Sequence, residues 1–396
     1  DGREVNMPGR AYEMNINNEL IWESPDNLES FGVHHDVIQR DNGNTMAITS
    51  STEMLHVPEG DWPIEPPDSI LWQGDRIVEW DVNGNEVWSW NTFDYYNLED
   101  WNYYSFLISF GTGIYDWTHS NAIWYDDVDE VVYISVRYMS RITKIDYATG
   151  NIIWNMGMEM PSGDVDIGTN LDFSFQHSVK ILENRNIMIY DNGNNNEIPI
   201  SRGLEISINE TDTFPSAEIV WEYILPDSLN SDLMSDCDRL TNGNSLLTST
   251  TTSHLLEVSP DSQKVWEVIP NQEFSTYRGE RVSGLYPQIF SIIQPDFIDG
   301  INGPTVFLPI GENSLTYTIY NEGWLDEFYE YTLTDEEGWF TETGTIEINS
   351  GSHYQLSFTG NVAISEIINT ITFDLIPLNA PLLIQSLTLF LSLYIP

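Results

Sequence analysis

Three histidines carry the chemistry that this sequence offers, and their spacing from a recurring turn sets them apart. His35 lies six residues before Asp41 of a DNGN turn, and His177 lies six before Glu183 of ENRN. His119 lies seven before Asp126, where the turn is slightly longer, and Ser235 lies six before Thr241 of TNGN. If these segments are repeats of one ring, the same strand position is filled by imidazole in three of four of them. Such imidazoles meet near the ring axis, where they can attack as nucleophiles, move protons or hold a metal. A metal is not expected, because there is no HExxH and no fixed ligand spacing within one element. Arg137 close by would also repel a cation.

Two arginines belong with the histidines. Arg137, in VVYISVRYMS, sits on the strand paired with the one after His119, and Arg202 opens SRGLE just after the His177 hairpin. The chain has only 14 Lys and Arg against 62 Asp and Glu, so cations placed there suit a bound anion. Asn121, two residues beyond His119, adds a carboxamide on the same expected strand face. No Walker loop, GxGxxG before a helix or GxSxG elbow is present, so no nucleotide or other cofactor is expected.

The elements that must position these residues are hairpins of two alternating kinds. One kind has a strand, an Asn/Gly turn and a second strand, as in HHDVIQRDNGNTMAI and QHSVKILENRNIMIY. The other ends on a Trp, as in DRIVEWDVNGNEVWSW and SRITKIDYATGNIIWNM. NG between alternating apolar residues is a strong hairpin signal, and two hairpins make a four-stranded propeller blade. Four full blades are countable. An orphan hairpin at residues 11–23, with 277–287 as its candidate partner, makes about five; the irregular 91–115 could conceal a sixth.

From Val282 onward there is no Lys or Arg, and strands alternate with turn signals every 8 to 12 residues. That pattern reads as an Ig-like β-sandwich. The expected domains are a β-propeller at 1–295 and a sandwich at 296–396, in an all-β chain. The apolar run PLLIQSLTLFLSLYIP at 381–396 is short for a membrane span and reads as a buried final strand.

A formal charge of −48 excludes nucleic acid and anionic membranes as expected partners and suits salty water. Cys237 is the only cysteine, so no intramolecular disulfide is possible. No signal peptide is evident, and the opening Asp1 fits a mature form.

DWTHSNAIWYDDVDEVVYISVRYMSRITKIDYATGNIIW, then FSFQHSVKILENRNIMIYDNG and SRGLEISI, resemble bacterial arylsulfate sulfotransferases. HHDVIQRDNGNTMAI and RLTNGNSLL fit the same family, and the resemblance covers roughly residues 11–290. It implies a six-bladed propeller, one blade more than can be counted. It also implies an exported enzyme, secreted, periplasmic or at the cell surface, that moves a sulfuryl group from an aryl sulfate to a phenol without a nucleotide donor. By motif, His177 takes the part of the nucleophile, and His119, Asn121 and Arg137 that of the sulfuryl-binding group. A histidine of HHD handles the phenol oxygen. The turn alignment favours His35 over His34, which stays open, and Arg202 is a further candidate for the substrate. The aromatic stretch 94–106 offers a rim for the phenol ring or packs as an insertion. The alternative reading is a non-catalytic propeller that binds sulfated or phenolic ligands, or a surface adhesion module.

Overall fold

Antiparallel hairpins form wherever the sequence alternates around an Asn/Gly turn. The computed structural model describes residues 2–6, 9–14, 19–25, 32–109, 111–211, 215–240, 242–269, 275–281, 289–300, 302–364 and 369–393. They belong to two compact units, Asp1–Arg281 and Val282–Pro396. That division precedes the expected 295/296 boundary because the strand Phe290–Ile293 pairs within the second unit.

The first unit holds five sheets among the described residues. A three-stranded one is β1 (Gly2–Asn6), β2 (Arg10–Met14) and β3 (Leu20–Glu23). The next is β4 (Val33–Gln39), β5 (Thr45–His56), β6 (Ser69–Trp80) and β7 (Glu86–Asn91). Then come β8 (Ile114–Asp116), paired parallel with β6, and the sheet β9 (Ser120–Asp126), β10 (Val131–Val136), β11 (Arg141–Asp146) and β12 (Ile152–Gly157). The fourth is β13 (His177–Ile181), β14 (Ile187–Asp191), β15 (Arg202–Asn209) and β16 (Ser216–Ile224). The fifth is β17 (Asp236–Arg239), β18 (Ser245–Ser249), β19 (His254–Val258) and β20 (Lys264–Val268). These are propeller blades, with β1, β4, β9, β13 and β17 as successive neighbours along the inside.

The orphan hairpin pairs with β1, the GREVN strand; of the partner expected at 277–287, residues 282–287 lie outside the described ones. One expectation is corrected here. The 91–115 segment is no blade, for it forms two short helices, α1 (Thr92–Tyr95) and α2 (Tyr103–Ser109), before β8. Among the described residues no sixth blade is present.

The repeated motifs explain the packing. Indole N–H groups of Trp88, Trp154 and Trp221, each on a fourth strand, donate to Tyr147, Glu210 and Pro260 in an outer turn of the next blade. In three of the blades a Trp thus locks neighbour to neighbour, packing a large apolar ring while its polar edge is satisfied. Third-strand carboxylates hold the NGN turns: Glu79 accepts from Asn44, Glu205 from Asn184 and Asn186, and Glu257 from Asn242 and Asn244.

In the second unit, β21 (Phe290–Ile293), β24 (Gly311–Asn321) and β27 (His353–Val362) form one sheet. The other joins β22 (Ile298–Gly300), β23 (Gly303–Leu308), β29 (Gln385–Leu393), β28 (Asn369–Pro377), β25 (Glu327–Asp335) and β26 (Glu342–Ile348). Their inner faces share a core including Tyr317, Phe358, Phe373 and Leu389, as a two-sheet sandwich requires. The apolar tail enters as β29, flanked by β28 and β23. No helix among the described residues is long and apolar enough to cross a membrane.

Candidate active site

Each histidine of the repeat sits where the first strand of its blade begins, and the backbone there is unusual. His35 and His119 have φ of 59° and 52°, and Ser235, the repeat equivalent, has 85°. Left-handed backbone at a branched or bulky residue costs energy, which neighbouring packing must impose. The ladders of β4 and β13 shift register at these points, between Val33 and Val37 and between His177 and Lys180. A bulge of this kind re-aims a side chain, here toward the inside of the ring.

The three imidazoles are brought together. His35 and His119 meet edge to face at 4.7 Å between ring centres, and His34 lies 4.9 Å from His35. The rings of Tyr138 and Tyr277 flank them at 4.9 Å from His119 and 6.3 Å from His35. Burial, then the charges of His119, His34, His177 and Arg137, hold the His35 imidazole well below its ordinary 6.5. His177 is also held well below 6.5, by burial and then by Arg137. Both rings are therefore neutral at pH 7, with a lone pair available.

Orientation of His177 is fixed at both nitrogens. Nδ1 lies 2.7 Å from the Asn192 carboxamide oxygen, which can only accept, so the proton is on Nδ1. Nε2 accepts the Met234 amide at 3.2 Å. Asn192 is itself held through Nδ2 by the Ser231 and Met234 carbonyls. The following Gly193 has φ 68°, and an added Cβ would lie 2.1 Å from the Ile200 carbonyl oxygen. Only glycine fits there.

Arg137 follows β10 directly, its amide bonded to the His119 carbonyl at 3.3 Å. Its guanidinium lies over the rings of Tyr138 and Phe175 at 4.9 and 5.0 Å, and Nη2 donates to the Asp232 carbonyl at 3.2 Å. Every other Lys and Arg whose side chain is described lies within 4.0 Å of a described carboxylate, and Arg137 does not. In so acidic a protein, a cation with no described carboxylate partner can take a bound anion.

His119 is anchored by Asp116, with Nδ1 to Oδ2 at 2.5 Å. A cavity of about 190 Å³ opens beside it, lined by His34, His35, His119, Asp75, Asp116 and Gln73 among others. The aromatic stretch makes ring contacts at both of its ends. Trp101 stacks on Trp62 at 3.7 Å as packing, while exposed Tyr104 lies 6.2 Å from Phe175, which continues to Tyr138 at 5.8 Å.

Two expected site residues are engaged elsewhere. Asn121 is fully buried and donates to the Gln176 carbonyl at 2.8 Å, tying β9 to the segment before β13. The backbone at His119, two residues earlier, is left-handed. Arg202 donates through Nε and Nη2 to Asp191, at 2.9 and 2.7 Å, and its charge is spent on that buried carboxylate. Asn192, Asp116, Asp75 and Tyr277 were not singled out from sequence; Asp116 opens the very DWTHSN block that holds His119. Among the described residues, no three His, Cys, Asp or Glu side chains are grouped to hold a metal.

A family model described as Arylsulfotransferase (ASST) matches residues 2–278. No curated protein matches the sequence. Among solved structures, a streptogramin B lyase aligns over 90% of this chain and 87% of its own, with 9% identity and a TM-score of 0.39. A virginiamycin B lyase from Staphylococcus aureus covers 94% and 89%, with 10% identity and a TM-score of 0.38. A Bacteroides caccae protein of unknown function covers 75% and 78%, with 12% identity and a TM-score of 0.32. Scores this low add nothing further about the chain.

Proposed function

Because the chain belongs to the arylsulfotransferase family, we propose that it carries a sulfuryl group from an aryl sulfate to a phenol in two displacements through a sulfohistidine at His177. The observation that carries this reading is Arg137, the described cation left without a carboxylate, acting on two neutral imidazoles.

Sulfuryl transfer resembles phosphoryl transfer, with in-line groups and charge spread over the peripheral oxygens. Its catalysis rests on positioned donors more than on bond-making by the protein. The Arg137 fork meets two sulfuryl oxygens, which take the place of the Asp232 carbonyl. Nε2 of His177 attacks sulfur once the Met234 amide gives way, and the bond from sulfur to the aryl oxygen breaks. Because His35 is neutral at rest, the aryl oxygen departs as an acidic phenol's anion, which takes its proton from water. In the second displacement neutral His35 takes the acceptor's proton as its oxygen attacks sulfur and the bond to His177 breaks. His119, held by Asp116, and the rings of Tyr138, Phe175 and Tyr104 border the substrate. Export, to the periplasm, cell surface or medium, belongs to the same proposal and rests on the resemblance of the His119 and His177 blocks.

Intact mass measured after aryl sulfate alone, at alkaline pH, should show one added sulfuryl group on wild type and none on His177→Asn. Arg137→Lys keeps the charge but loses the planar pair of donors, so both half-reactions should slow by about 10². A fully active His177→Asn protein, or a label mapped to another residue, overturns the assignment. Aryl sulfate binding with no turnover and no label in wild type would favour the ligand-binding or adhesion alternative.

A further inference from the structure

His34 and Asp75 stand behind His35 in a line. Asp75, within β6, is 2% exposed and accepts the Thr118 hydroxyl at 2.6 Å and the Ser120 amide at 2.5 Å. Its other oxygen, Oδ1, lies 3.3 Å from His34 Nε2, an ion-pair distance without the alignment of a full hydrogen bond. The far nitrogen of that ring, Nδ1, is 2.7 Å from His35 Nδ1. Burial alone would raise the Asp75 carboxyl, but His34, Thr118 and Ser120 outweigh it and hold it below the usual carboxylate range. Asp75 is thus an anion in the ring interior.

A proton count orders the line. A nitrogen facing a buried carboxylate carries a proton, so a singly protonated His34 has it on Nε2. Its Nδ1 can then only accept, and the 2.7 Å contact requires His35 to donate from its own Nδ1. A neutral His35 is left with its lone pair on Nε2, the atom that must meet a phenol.

We propose that Asp75 and His34 are positioning residues for His35, fixing its tautomer and steadying the imidazolium formed when Nε2 removes the acceptor's proton. This rests on the reading of His35 as the phenol's proton carrier and assigns the first histidine of HHD, His34, a separate task. The step is balanced: the O–H proton moves to His35 Nε2, the phenol oxygen bonds sulfur, and the electron pair of the N–S bond returns to His177. Asp75 stays ionised throughout, as the buried acid of a Ser-His-Asp triad does. The groups facing His35 are His34, His119, His177, Arg137 and Tyr277, and Asp75 is the anion next in line.

Imidazole ¹⁵N NMR of the resting protein tests the arrangement without any substrate. His35 should be protonated at Nδ1 in wild type and lose that preference in His34→Gln; a His35 protonated at Nε2 in wild type overturns the proposal. Kinetics test its use. His34→Gln should slow acceptor turnover about tenfold or more for weakly acidic phenols and little for strongly acidic ones. In a His35→Asn background the same change should cost nothing further. Equal loss for every phenol, or additive loss in that background, also overturns it. Asp75→Asn, if it folds, should copy His34→Gln. A wild type that takes no sulfuryl label defeats the transferase reading instead, and the tautomer measurement still decides the arrangement.

Discussion

Burial of an imidazole makes its charged form costly, and two of the residues here take that cost together. His35 and His177 are both held well below 6.5, chiefly by burial. In the unfolded chain they bind protons near 6.5, so below that pH the unfolded state holds more protons than the native one. Their contribution to stability is therefore complete above about pH 6.5 and declines as pH falls from there toward the folded values. Each pH unit of that decline costs about 1.4 kcal/mol per histidine. Thermal midpoints of wild type should drop between about pH 7 and 5 more steeply than those of a His35→Asn, His177→Asn double variant. Parallel slopes would mean that these rings are not buried neutral bases.

First strands of the blades are held to one another by buried charge. Asp36 of β4 accepts the Ile123 amide of β9 at 3.0 Å and the Arg278 guanidinium at 3.1 Å. Lys180 of β13 pairs with Asp236 of β17 at 3.2 Å, and Arg278 lies 3.9 Å from the other Asp236 oxygen. Asp36 raises the affinity of Arg278 for its proton more than any other neighbour. Arg278 follows the last blade, so it ties the end of the ring to the blade of His35. Removing one partner of a buried pair strands the other's charge, which costs about 3–5 kcal/mol. Arg278→Ala should lower stability in urea by about that amount, seen as a lower midpoint with little change in slope, because Asp36 would be left buried and Asp236 would keep only Lys180. A midpoint within error of wild type would show that the ring closes without this contact.

Across the whole molecule, 62 acids face 14 bases, and most of the surface charge is of one sign. Self-repulsion falls as salt shortens the screening length from about 10 Å at 0.1 M to about 3 Å at 1 M. Every residue of the proposed site nonetheless lies in the first unit, before Arg281. A chain ending at Arg281 should fold and keep the transfer rate of the full chain, measured in about 1 M salt to suppress repulsion. Loss of turnover in a folded truncation would assign the sandwich a part in the site.

The sequence by itself determined the local period. Alternation and NGN turns set the hairpins, a Trp on three of the fourth strands set blade contacts, and near-equal distance from the turn (six, seven and six residues) put His35, His119 and His177 at one position. Such signals survive in one dimension because they depend on neighbours two to seven residues apart. Only the tertiary structure decided which polar groups are spent and which are free. Arg202 and Arg137 look alike in sequence, but Asp191 neutralises the first, while the second meets two rings and a backbone carbonyl. His34 and His35 are adjacent, and only the fold puts Asp75, forty residues on, behind one of them. The GREVN strand carries no turn signal of its own and became a blade strand through its long pairing with β2. Charge compensation and tautomer choice are properties of what lies across the ring, and no spacing along the chain encodes them.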